Sequence, residues 1–236
     1  MTATVVLVHG AWHGAWCWDP AVAPLEGAGV PVRALDLPGH GEDTRPLTDL
    51  HGHGDAVRAA LDEIVGPVVL VGHSYGGAAI TDAGTHPSVR HLVYISAFCI
   101  DAHESVMVNE LRGGAGNDLE PAMRFGADNT VTVDPEGAIA AFYDDCDPAV
   151  AAAAVARLGP EDLSGFAQTP RAVAWRQRPS TFALCAADRA LTPALQQILA
   201  ARCDTVVEWP TSHSPFLSRP DLVADLLGGI ACTVQA

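Results

Sequence analysis

A chain of 236 residues, 49% apolar and 17% charged, is long enough to bury one sizeable core and too apolar to be disordered. A net charge of -15, with all 13 basic residues arginine, argues against nucleic acid and excludes any lysine Schiff base or lysine general acid. No run of about 18 apolar residues is present to span a membrane, and Met1-Thr2-Ala3-Thr4 leads into Val5–Val8 without a signal peptide, so a cytoplasmic protein is expected.

Short, β-branched apolar runs alternate with helical stretches along the chain. Strands are predicted at residues 4–8, 30–37, 67–71, 91–97, 181–186 and 205–209. Helices are predicted at 19–27, 50–65, 74–85, 193–202 and 220–227. The strands read as continuous apolar runs, as expected when both sheet faces are covered. Alternating β and α with short connections gives an α/β class with a mostly parallel, doubly wound sheet. Residues 98–179 break this rhythm. They contain no strong strand, but Ala-rich helical material near 135–142 and 148–158, and they are too long for a loop. The predicted organisation is a core of 1–98 and 180–236 carrying a helical cap of 99–179, inserted before the last two strands.

The first strand ends in His9-Gly10-Ala11. The third runs into Gly72-His73-Ser74-Tyr75-Gly76, followed by the small-residue helix start Gly77-Ala78-Ala79. A strand, a G-x-S-x-G turn and a helix form the context in which that pattern acquires chemical meaning. Such a sharp turn strains the serine backbone and thrusts its Oγ off the sheet edge, while Gly72 and Gly76 avoid the clash a Cβ would make. Ser74 is therefore the candidate nucleophile. An acyl-transfer oxyanion needs two preorganised N–H donors. Tyr75, next to the nucleophile, supplies one candidate and Ala11 in the glycine loop the other.

The acid and base follow the serine in chain order. Asp188 lies just past the strand at 181–186, and its rival is Asp101, past the strand at 91–97. His213, in Thr211-Ser212-His213-Ser214-Pro215 after the last apolar strand, is the candidate base. His9, His40, His73, His86 and His91 read as structural, and His51 and His53, at a helix start, as solvated. Cys17, Cys99, Cys146, Cys185, Cys203 and Cys232 show no C-x-x-C pair and no zinc spacing, so buried, reduced thiols and no metal site are expected. Trp12, His13, Phe98, Phe142 and Trp175 are candidates for touching substrate, with Met107, Phe125 and Tyr143 beside them. Trp16 and Trp18 are read as packing residues.

The segments Val8-His9-Gly10-Ala11-Trp12-His13-Gly14-Ala15-Trp16, Asp36-Leu37-Pro38-Gly39-His40-Gly41 and Gly72–Gly77 resemble the small α/β-hydrolases grouped with plant methyl esterases, salicylate-binding esterases and hydroxynitrile lyases. Bacterial esterases and pyrethroid hydrolases look similar, and Ser212-His213-Ser214-Pro215-Phe216 matches these better. The resemblance covers nearly the whole chain and is weakest between residues 113 and 179. It implies the α/β-hydrolase fold, a cofactor-free acyl-transfer site and a small apolar ester as substrate, in a monomer or homodimer. The hydroxynitrile lyases carry a lysine beside the catalytic histidine where this chain has Ser214, which argues against lyase chemistry. Hydrolysis of a thioester, lactone, amide or C–C bond, a lyase or cyclase reaction, and a ligand-binding receptor remain alternatives.

Overall fold

The computed structural model describes residues 2–113 and 116–234. Its main sheet has six parallel strands. They are β1 (Thr4–Val8), β2 (Val32–Leu35), β3 (Val68–Ser74), β4 (Val89–Ala97), β8 (Ser180–Cys185) and β9 (Thr205–Trp209), in the spatial order β2-β1-β3-β4-β8-β9. Successive side chains of β1, β3, β4 and β8 enter opposite cores, as the period of two requires. Val6, Val8, Leu70 and Tyr94 join one cluster, while Val5, Leu7, Val69, Val71 and Ile95 join the other. Helices α1 (Asp19–Gly27) and α10 (Pro220–Thr233) supply buried residues to the second cluster. Helices α2 (Leu50–Asp62), α3 (Gly76–Ala83) and α8 (Pro193–Ala200) supply the first. Apolar groups on both faces explain why these strands read as unbroken runs.

The chain passes from β1 outward to β2 and then back to β3 on the other side. This reversal opens a crevice at the carboxyl ends of β1 and β3, the usual ligand position in open parallel sheets. The His9-Gly10-Ala11 loop and Ser74 both stand there.

Between β4 and β8 the chain leaves the sheet. Helices α4 (Val106–Arg112), α5 (Pro135–Phe142), α6 (Pro148–Val155) and α7 (Ser164–Ala167) occur in this stretch, so helices are present as expected. The expectation of a helical cap without a strong strand is modified by a three-stranded antiparallel sheet of the short strands β5 (Met123–Phe125), β6 (Thr130–Val133) and β7 (Glu161–Asp162). Its middle strand is Thr-Val-Thr-Val, an alternating and β-branched pattern with only Val131 fully buried. A search for continuous apolar runs passes over such a strand.

Two other expectations change. His53 is fully buried, because the face of α2 that carries it turns inward with Leu50, Val57 and Leu61. Cys232 is exposed and Cys146 and Cys203 are half-buried, so the thiols are not uniformly buried.

Candidate active site

Ser74 ends β3 with φ at 51°, and its neighbour Tyr75 caps α3. The fit is steric. A Cβ on Gly72 would come within 2.6 Å of the Gly76 carbonyl oxygen, and one on Gly76 within 2.5 Å of the His9 oxygen. Gly10 has the same role across the crevice, where a Cβ would lie 2.9 Å from both His73 Nδ1 and Ser74 Cβ. The loop after β1 can therefore lie directly against the turn that carries the serine.

Histidines hold that loop. His9 Nδ1 donates to the Gly10 oxygen at 2.8 Å, and Leu37 N–H donates to His9 Nε2 at 3.0 Å. His13 Nδ1 donates to the Ala11 oxygen at 2.8 Å, which leaves Nε2 to accept from the Tyr143 hydroxyl at 2.7 Å. Burial first, with other imidazoles nearby, pushes His9 well below the ordinary histidine value. Burial likewise lowers His13 to about 4. Both rings are neutral near pH 7 and act as fixed donor–acceptor pairs. With the Gly10 and Ala11 carbonyls held this way, the Ala11 N–H donates to no other group among the described residues, nor does the Tyr75 N–H.

On the other side, His213 Nδ1 lies 2.8 Å from Asp188 Oδ2. Asp188 is saturated with donors. The backbone N–H groups of Ala190 and Leu191 donate to Oδ1 at 2.8 and 2.9 Å, and Gln196 Nε2 donates to Oδ2 at 3.0 Å. The Ser96 hydroxyl also donates to Oδ2 and lies 3.5 Å from His213 Nδ1. Ser96 sits at a β4 register shift with φ at 40°, which turns its side chain toward the acid. Gln196 is anchored in turn: its Nε2 donates to the Cys185 and Leu191 oxygens, and its Oε1 accepts the Cys185 N–H. His73 Nε2 donates to the His213 oxygen at 2.9 Å and so fixes the loop that carries the imidazole. Asp101, the rival acid, is engaged elsewhere, at 2.6 Å from Arg176.

Ser74, His213, Ala11 and Tyr75 line one cleft of about 420 Å³. Its remaining wall is mostly apolar, from Trp12, Phe98, Val106, Met107, Leu111, Leu119, Met123, Phe125, Leu163, Phe166 and Leu191. Its carboxyl groups belong to Glu110 and Glu120, and no arginine lines it among the described residues. Burial first, then the Asp188 and Glu120 charges, raises Glu110 to about 7.

Of the residues expected to touch substrate, Trp12 and Phe98 reach the cleft wall, while His13, Phe142 and Trp175 stand outside it. His13 is committed to the Ala11 carbonyl. Phe142 packs 5.4 Å from the His213 ring and 5.9 Å from Trp12, between the two sides of the site. Trp175 donates its Nε1–H to the Ile100 oxygen at 2.9 Å. Ser96 and Gln196 were not among the candidates. A serine in an apolar strand and a glutamine in a helix carry no local signal, and only the tertiary approach to Asp188 reveals them.

Comparison with known proteins agrees with this architecture. The model of the Alpha/beta hydrolase family matches residues 5–226. A carbendazim hydrolyzing esterase of Nocardioides sp. (strain SG-4G) is 36% identical over 115 residues, 44% of this chain and 46% of that protein. Methyl jasmonate esterase 1 of Vitis vinifera is 33% identical over 58% of this chain and 59% of that one. These two matches span only about half the length of each relative. The structure of a pyrethroid hydrolase from Sphingobium faniae JZ-2 superposes with a TM-score of 0.86 at 24% identity, over 99% of this chain and 98% of that one, which speaks to the fold alone.

Proposed function

The chain belongs to the Alpha/beta hydrolase family, and from that premise we propose that it is a serine hydrolase cleaving a small, apolar carboxylic ester. The observation that carries the reading is the meeting of two elements in one cleft. These are Ser74 on its strained turn and His213 backed by Asp188 at 2.8 Å. Esterases among the relatives favour an ester over other acyl bonds.

His213 Nε2 takes the Ser74 hydroxyl proton as Oγ attacks the ester carbonyl. The Ala11 and Tyr75 N–H groups receive the oxyanion, and Asp188 accepts from Nδ1 and stabilises the imidazolium. The alcohol leaves with the proton from His213. The same imidazole then activates water, which releases the acid and restores Ser74. Apolar walls favour an uncharged acyl or alcohol group, and the Glu110 and Glu120 carboxyls disfavour an anionic one.

The test uses short- and medium-chain p-nitrophenyl esters with wild type and Ser74→Ala, alongside fluorophosphonate labelling. Wild type should hydrolyse and label, and Ser74→Ala should do neither, with turnover down about 10⁴-fold or more. Labelling without ester hydrolysis would move the substrate to a thioester, lactone, amide or C–C bond. Hydrolysis that survives Ser74→Ala would refute the reading.

A further inference from the structure

A second cluster of chemistry-bearing side chains lies outside the cleft. Glu161 on β7 meets His40, from the turn after β2, and His53 on α2. All three are buried, and one ligating atom from each lies within 4.8 Å of the others. None of the three lines the cleft.

The outer atoms of the cluster are already committed. His40 Nδ1 donates to the Pro38 oxygen at 3.1 Å, and His53 Nδ1 is 2.8 Å from the Tyr75 hydroxyl. The second carboxylate oxygen, Glu161 Oε1, accepts the Asp162 N–H at 3.2 Å. The inward atoms are His40 Nε2, 3.0 Å from Glu161 Oε2, and His53 Nε2, which has no partner among the described residues. A fully buried imidazole nitrogen without a partner is costly unless something occupies its lone pair. His53, its far nitrogen held by an oxygen and its near one free, has the arrangement that orients a metal ligand, and the near nitrogen of His40 already faces the carboxylate that would share the ion.

We propose that His40, His53 and Glu161 form a binding site for a divalent transition-metal ion, zinc in the first instance. Two imidazoles and a carboxylate are a borderline-soft set that suits zinc and leaves a fourth position for water. The carboxylates of Asp36 and Asp49 act on these same imidazoles and help to accommodate the added charge. Binding replaces the His40–Glu161 hydrogen bond. The His40 Nε2 proton passes to solvent, both imidazoles bind as neutral donors, and Glu161 stays a carboxylate.

The site is structural. It ties β7, in the segment between β4 and β8, to the core at α2 and at the turn after β2. Through His53 it also holds the ring of Tyr75, a residue that lines the cleft. The histidine and glutamate spacing in the chain gave no hint of it, because 12 residues lie between His40 and His53 and 107 between His53 and Glu161.

The experiment starts from the whole chain expressed in zinc-supplemented medium, so that metal is present as the buried site forms. A Cys232→Ser background removes the exposed thiol as a competing ligand. We expect about one equivalent of zinc to survive desalting, and cobalt introduced by refolding to give the intense visible bands of a four-coordinate site. Chelator treatment should lower the thermal midpoint by several degrees. His53→Ala and Glu161→Gln should each retain less than about a tenth of the metal. Folded wild type without metal and without cobalt bands would overturn the proposal, whatever the variants do. Equally, stoichiometric metal retained in both variants would assign it to other residues.

Discussion

Two carboxyl groups, one behind the cleft and one on its wall, are held in different ways. Asp188, behind His213, receives five donors, two of them backbone amides and one a glutamine held at three further points. Glu110, on the cleft wall, has among the described residues one long side-chain contact, from Asn117 Nδ2 at 3.5 Å. Its carboxyl is pushed up to about 7, so that it is largely protonated in mildly acidic solution and about half protonated at neutral pH. The contrast shows that burial alone does not decide what a carboxyl group does. Donors fix the position of one, whereas apolar neighbours and like charges leave the other ready to shed its charge.

The comparison can be broken most severely at Asp188. Asp188→Asn should keep the fold and lower kcat by about 10⁴-fold, because the imidazole loses the acceptor that holds its tautomer. A loss below about tenfold, read in single-turnover kinetics, would mean that Asp188 does not serve His213. A step down in size is Gln196→Leu, which removes one donor without touching the reacting atoms. It should lower kcat by roughly 10- to 100-fold at nearly constant KM and shift the pH–rate profile, since a hydrogen bond to a charged group is worth about 1.5–3 kcal/mol. A change in thermal stability with an unaltered profile would reduce Gln196 to a packing role.

Glu110 provides the opposite test. A carboxyl raised above its unfolded value binds its proton more tightly when folded. Its contribution to stability is therefore complete below about 4.5 and is lost as the pH rises through about 7. Glu110→Gln should match wild type near pH 4.5 and exceed it by about 1 kcal/mol at pH 8, after discounting for its half-buried position. The KM for an uncharged ester should also rise several-fold with pH in wild type and stay flat in the variant. Parallel curves for the two proteins would show that Glu110 does not titrate in the cleft. The smallest effect is expected at Trp12. Trp12→Phe leaves the Val131 carbonyl without its donor and should cost about 1 kcal/mol, or some 2–4 °C in thermal midpoint.

What the sequence disclosed follows from where the physics is local. Strand β9 and helices α1 and α5 start and end where the residue pattern puts them, since β-branched runs, Pro at the helix start and Asp134 as cap act within a few residues. The turn at Ser74 was legible because glycine spacing records a steric constraint. The place of His213 beside Asp188 could be anticipated because it is the one histidine in the loop after the last strand. Ser96, Gln196 and the burial of His53 were not legible: Ser96 and His53 meet partners 92 and 22 residues away in sequence, and Gln196 meets Asp188, only 8 residues away, because the chain folds back between β8 and α8. The small sheet at β5, β6 and β7 was missed because only one of its side chains, Val131, reads as core within an alternating strand.

Trp12 stands with φ at 65°, and two hydrogen bonds clip it to the segment between β4 and β8. Its Nε1–H donates to the Val131 oxygen, and its carbonyl accepts the Gly159 N–H, both at 2.9 Å. Anyone exchanging that segment for a relative's, to retune what the cleft accepts, inherits a boundary condition. The transplant must present an acceptor where Val131 stands and a donor where Gly159 stands. A graft that matches every pocket residue but lacks these two backbone groups would release the neighbouring Ala11 amide and trade selectivity for a slack scaffold.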